Sequence, residues 1–169
     1  MMMGRRRLPS FILVLAVAMM ALFTACGKDK GDAGTQAEAK DVKTQEAADA
    51  IRTQGDFKDQ LATVHNTTAL TRLYVLDEAN IEEAAFYTNS SSTAEEIAVI
   101  KVKSQDYIDT VKAAYEKRIA DQKDACKDYL PDEMPKLDSA VIYVNGNYAV
   151  LCISNDNSKM EGIIKGIFE

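Results

Sequence analysis

The chain has 169 residues, 47% hydrophobic and 27% charged, with 26 acidic against 20 basic side chains and a net charge of −6. That length suits one domain and a short appendage. The acidic balance excludes the basic surface a nucleic-acid partner needs, and the absence of tryptophan argues against a sugar-stacking platform.

Arg5-Arg6-Arg7 stands ahead of a 13-residue apolar run, Phe11 to Phe23, followed by Thr24-Ala25-Cys26. As a helix at about 1.5 Å per residue the run covers roughly 20 Å, short of a bilayer core of about 30 Å. A positive head, a short apolar segment and small residues before a cleavage point are the layout of an export signal. The arginines stay on the cytoplasmic side, so the chain beyond the apolar run is pushed outward. Leu22-Phe23-Thr24-Ala25-Cys26 resembles the lipobox of bacterial lipoproteins. That resemblance implies a signal peptide over residues 1–25, cleavage just before Cys26, and transfer of a diacylglyceryl group to its thiol. The alternative is an ordinary secreted protein cut nearby. Two acyl chains of the palmitate kind anchor stably where one does not. Loss of residues 1–25 takes the basic count from 20 to 17 against 26 acidic residues, net −9, so the domain stands off an anionic membrane surface.

Gly27 to Lys43 is polar and small, with Val42 alone able to contribute to a core. It reads as a disordered tether, residues 26–43 counted from the lipidated cysteine. Thr44 to Gln54 predicts a helix capped by Thr44, faced by Ala47, Ala48, Ala50 and Ile51 and stopped by Gly55. A connector carrying Phe57, Leu61 and Val64 leads to a second short helix over Thr67 to Tyr74.

Ile81 to Asn89 and Ala94 to Lys103 predict a hairpin. In the second strand Ala98, Ile100 and Val102 alternate with Val99, Lys101 and Lys103, so one face is expected dry and the other to end wet. Ser104 to Tyr129 predicts the longest helix, capped by Ser104. Its stripe is Ile108, Val111, Tyr115, Ile119, Gln122 and Cys126, and Pro131 ends it. Pro131 to Asp138 reads as an acidic loop. Ala140 to Val144 and Tyr148 to Ser154 form a second hairpin about Asn145-Gly146-Asn147, where both Asn and Gly accept positive φ. A closing helix capped at Asn155-Asp156 presents Met160, Ile163, Ile164, Ile167 and Phe168 on one face.

The order α-α-β-β-α-β-β-α predicts an α+β fold over residues 44–169: a four-stranded antiparallel sheet of two hairpins with helices packed on one face. Strand order stays open.

Thr93 to Lys101, then Glu133 to Leu137, then Gly146-Asn147-Tyr148 resemble an uncharacterised lipoprotein family of Gram-positive bacteria of the clostridial kind, a domain of unknown function. The resemblance runs from about Ala47 to Phe168. It implies a lipid-tethered extracytoplasmic domain and no activity.

Candidate sites are few. His65 is the single histidine and would have to serve any Ser-His-Asp or Cys-His device; a surface or satisfied histidine is the expectation. Asp128, Asp132 and Glu133 are the densest acidic cluster but lack the ordered spacing of a calcium loop. Glu95 and Glu96 are adjacent on a strand and therefore point to opposite faces, which argues against a shared acid–base site. Cys126 and Cys152 are read as buried thiols, with a bridge as the alternative, since the helix bearing one must pack on the strand bearing the other. Lys101, Lys103, Lys112, Lys117 and Arg118 make the basic patch, expected to be solvated.

The expectation is therefore a lipoprotein anchored through Cys26 on the outer face of the cytoplasmic membrane, not an enzyme. It takes no cofactor or metal and acts as a binding or accessory module for a protein or envelope component. The alternative is a small-ligand-binding, transport-associated lipoprotein, and a hydrolase comes last.

Overall fold

Strand β3, Glu96–Val102, reads Glu-Ile-Ala-Val-Ile-Lys-Val, and every residue but Lys101 is buried. A strand that is apolar at both parities must be covered on both faces, and the rest of the fold is built around that need. The computed structural model describes residues 40–58, 60–89 and 93–169, all within one unit, Thr35–Glu169. The signal segment 1–25, Cys26 and the tether as far as residue 39 lie outside the described residues.

The sheet has five strands in the order β1-β2-β3-β5-β4, each antiparallel to its neighbours. They are β1 (Ala62–Thr63), β2 (Ile81–Thr88), β3, β4 (Val141–Asn145) and β5 (Tyr148–Ile153). Both predicted hairpins form, but the count of four is corrected to five: Ala62 and Thr63 pair with Thr88 and Tyr87. Two residues in a connector are too short a run for a period-two signal. The hairpins join through β3 and β5, the two strands richest in buried residues.

The expectation of helices on one face is also corrected. Ala98, Ile100 and Val102 of β3 pack in one cluster with Ala149, Leu151 and Ile153 of β5 and with Ile108, Val111 and Tyr115 of helix α3. Ile97 and Val99 pack in the other with Val150 and Cys152 and with helices α1 and α5. That second face ends wet as expected: Val99 is buried, Lys101 half-buried and Lys103, just past the strand, exposed.

On the first face, α3 (Ile108–Cys126) buries Ile108, Val111, Tyr115 and Cys126 of the predicted stripe. A 3-10 turn, Gln105–Tyr107, precedes it, and the Ser104 side chain makes no cap. The expected loop at Pro131 to Asp138 is instead a 3-10 turn, Pro131–Glu133, running into helix α4 (Met134–Asp138). Both prolines sit in the first turn, where no donor is missed. The predicted helix over residues 67–74 divides into α2 (Asn66–Thr68) and a π-turn, Ala69–Leu73.

On the second face lie α1 (Thr44–Gln54) and α5 (Asn157–Phe168). Lys43, not Thr44, occupies the α1 cap position without a side-chain bond; the Thr44 amide donates instead to Glu83. Gly55 ends α1 where a Cβ would lie 2.5 Å from the Phe57 ring and 2.9 Å from the Ile51 carbonyl. α5 buries Met160, Ile164 and Phe168, and Asp156 precedes it without capping. Residues 40–43, assigned to the tether by composition, are tied to the domain. The Lys40 amide donates to the Phe168 carbonyl, and Val42 exchanges bonds with the Tyr148 hydroxyl. At the β4–β5 turn only Gly146 has positive φ, 55°, so Asn145 of the Asn-Gly pair does not share that role and instead pairs with Tyr148 in the ladder.

Candidate functional site

Glu95 and Glu96 stand side by side where the chain enters β3, and both are buried to 1% exposure. Strand alternation sends them to opposite faces, as expected. Each meets its own base.

Glu96 faces α3. Arg118 donates through Nη2 at 2.7 Å and through Nε at 3.2 Å to both oxygens, and Gln122 Nε2 donates at 2.8 Å. The Tyr74 hydroxyl completes the set. Burial, then the Glu96 charge, pushes the Tyr74 phenol well above its ordinary value. Burial opposes the Arg118 charge, but Glu96 outweighs it and the guanidinium is held more firmly protonated. Tyr74 meets the Tyr115 ring edge-on at 5.3 Å. Tyr115 in turn donates to the Ala149 carbonyl at 3.2 Å.

Glu95 turns to the other side. It accepts the Lys58 amide at 2.9 and 3.0 Å and Lys136 Nζ at 2.9 Å. Lys136 also bridges to Glu133 at 3.0 Å, and Glu133 accepts the Ala94 amide at 2.9 Å. Burial pushes the Lys136 ammonium down, but Glu95 and Glu133 together raise it. These pairs knit the loop before β3 to α4. Buried carboxylates satisfied by a base and by amides tie segments together; among the described residues neither Glu95 nor Glu96 lines the grooves of about 430, 370 and 360 Å³, although Lys58, whose amide Glu95 accepts, lines the first.

The remaining predicted residues disperse. His65 is exposed at the start of α2. Of the acidic trio, Glu133 is consumed by Lys136 while Asp128 and Asp132 are exposed. Among the described residues no group of three metal-binding side chains assembles. Cys126 and Cys152 are free and buried in clusters on opposite faces of the sheet, so the bridge held open as an alternative does not form. Burial pushes the Cys152 thiol up to about 12. The basic patch breaks up into separate pairs: Lys101 with Glu82 at 2.9 Å and Asp41 at 3.0 Å, Lys112 with Glu116, Lys117 with Asp121. Arg118 turns inward to Glu96.

Sequence reasoning missed the two ion-pair sets. For the Glu96 set the signal was Gln122, a polar side chain inside an otherwise apolar helix stripe that bonds to Glu96; a polar group turned inward needs a partner.

The groove of about 430 Å³ is lined by Arg52, Thr53, Phe57, Lys58 and Gln60. That of about 360 Å³ runs between β4 and the first half of α5.

Residues 53–154 match the model of a protein family described as a domain of unknown function (DUF4358). The chain belongs to this family. The DUF4358 match takes in all five strands, α3, α4 and both ion-pair sets. It leaves out α5 and nearly all of α1, the helices that cover the second face. No curated protein and no solved structure matches the chain.

Proposed function

We propose that the chain is a lipid-anchored extracytoplasmic protein of a Gram-positive bacterium, acylated at Cys26. Its DUF4358 domain acts on the outer face of the cytoplasmic membrane as a binding or accessory module. The anchor reading is supported by the Arg-rich head, the 13-residue apolar run and the Leu22 to Cys26 segment, which together meet the chemistry of export and thiol acylation.

One observation carries the binding half of the proposal. The buried carboxylates at the start of β3 are closed by bases, Glu96 by Arg118 and Glu95 by Lys136, whereas among the described residues no strand pairs with the outer edge of β4. Main-chain hydrogen-bonding groups at an open edge are a recognition surface. The small-ligand alternative rests on the Arg52–Lys58 groove, whose two cations suit an anionic compound.

Metabolic labelling with a clickable fatty acid tests the anchor. The wild-type chain takes up label and stays with membranes, and Cys26→Ala does neither. A Cys26→Ala chain that still labels and sediments with membranes overturns the anchor.

A further inference from the structure

Strand β4 reads Val-Ile-Tyr-Val-Asn, pairs with β5 without a register shift, and ends the sheet. Natural sheet edges are blunted by shortness, charge, proline or a bulge. The opposite edge, β1, has two residues and is blunted by shortness. β4 uses none of these devices.

The direction of its free groups is set by the turn. Asn145 and Tyr148 flank the two-residue link and are partners in the ladder, which makes them a hydrogen-bonded pair. Such pairs alternate, so Tyr143 and Val141 also bond inward to β5. The N–H and C=O groups of Ile142 and Val144 therefore point away from the sheet. Among the described residues no other segment bonds to them.

The side chains flanking this edge differ by face. Ile142 packs with the α3 cluster, and Val144, on the same face, is 38% exposed. Val141 and Tyr143 lie on the α5 face, beside the groove of about 360 Å³ whose single charged lining residue is the exposed Glu161. A strand laid along β4 would thus meet apolar surface at one parity and a carboxylate at the other.

The geometry points to β4 as a docking edge for an extended segment of a partner protein that alternates β-branched apolar residues with basic ones. The apolar side chains lie against Ile142 and Val144, and the basic ones enter the groove towards Glu161. This specifies the surface of the binding module proposed above and is independent of the Cys26 anchor. A second copy of the chain fits less well. It brings an uncharged strand, a second Glu161 groove and another −6 of net charge to the same seam.

The test uses the full-length chain in detergent, amide exchange read by NMR, and two capped synthetic peptides of about nine residues, one alternating valine with lysine and one valine with glutamate. With the lysine peptide, exchange at Ile142 and Val144 slows at least about tenfold, while Val141, Tyr143 and Asn145 are protected throughout. Val144→Pro removes an outward donor and leaves the β5 ladder whole, so peptide affinity falls about tenfold or more. Glu161→Gln weakens the lysine peptide about two- to fivefold, and Glu161→Lys reverses the preference between the peptides. Unchanged exchange at Ile142 and Val144 up to about 1 mM peptide overturns the proposal, as does wild-type affinity in a folded Val144→Pro chain. Should Val144→Pro unfold, the presence or absence of the Glu161→Lys reversal decides. A dimer seen by light scattering and dissolved by Val144→Pro assigns the edge to a second copy and overturns the foreign strand. None of these readings moves with acylation, so failure of the anchor is separately visible.

Discussion

Arg118 and Glu96 form a two-pronged ion pair between the middle of α3 and the first residue of β3, with Nη2 2.7 Å from Oε2 and Nε 3.2 Å from both oxygens. The Glu96 side chain is 2% exposed, so its charge has no recourse to water. Removing one partner of such a pair strands the other charge. Arg118→Met therefore lowers stability by about 3 kcal/mol in urea unfolding. The double variant Arg118→Met/Glu96→Gln recovers part of that loss, because the stranded charge is gone while an acceptor for Tyr74 remains. A loss below about 1 kcal/mol in the single variant would show that water reaches the pair.

Stability falls on the alkaline side. Cys152 has its ordinary value of 9.0 raised to about 12 by burial, and burial raises the Tyr74 and Tyr115 phenols well above theirs. For a group whose folded value is raised, the stabilisation is complete below the unfolded value and is lost as pH climbs through the folded one. The window for Cys152 is therefore pH 9 to about 12. Each proton retained only by the folded state costs about 1.4 kcal/mol per pH unit there. Cys152→Ala flattens the curve of stability against pH in that window, and an unchanged slope refutes the assignment.

Cys126 and Cys152 are separated by the sheet itself. Alkylation in denaturant without reductant modifies both, and the mass shift is the same with reductant present. In a chain acylated at Cys26 the count is two; in an unprocessed chain it is three. A reductant-dependent mass shift contradicts the placement.

Val75 has φ of 53° and is 76% exposed. It closes the π-turn, after which the Leu76 amide returns to the Leu70 carbonyl at 2.8 Å and Leu76 enters the core. That left-handed position is one glycine fills without strain, whereas a β-branched residue is strained there. Val75→Gly sacrifices little packing and raises stability by about 0.5–1 kcal/mol, read as a higher urea midpoint at constant slope. A lower midpoint shows that the Val75 side chain has a contact worth more than the strain.

Much of the layout was legible because local signals agreed. The Asn145-Gly146-Asn147 hairpin, the stripe from Ile108 to Cys126 and the closing helix around Met160 and Ile164 each combine a period with a punctuating residue. The misreadings share a cause. Pro131 and Pro135 suggested a loop but open short helical turns, where proline is also at home. The π-turn at Ala69–Leu73 has no period of its own to detect. For the ion pairs, the opposite orientation of Glu95 and Glu96 was readable from alternation; their partners were not. Arg118 and Lys136 lie 22 and 41 positions away, on elements whose docking no local window encodes.

By itself the sequence determined the two hairpins, the three longer helices α1, α3 and α5, and the arginine-led apolar segment before Cys26, because each depends on neighbours within a few positions. Only the tertiary structure decided that both sheet faces are covered, that the thiols lie apart, which base closes which carboxylate, and which strand is left at the rim. Alternation says that a strand has two faces. What covers each face, and whether its edge meets another strand, depends on segments far along the chain competing for the same apolar surface.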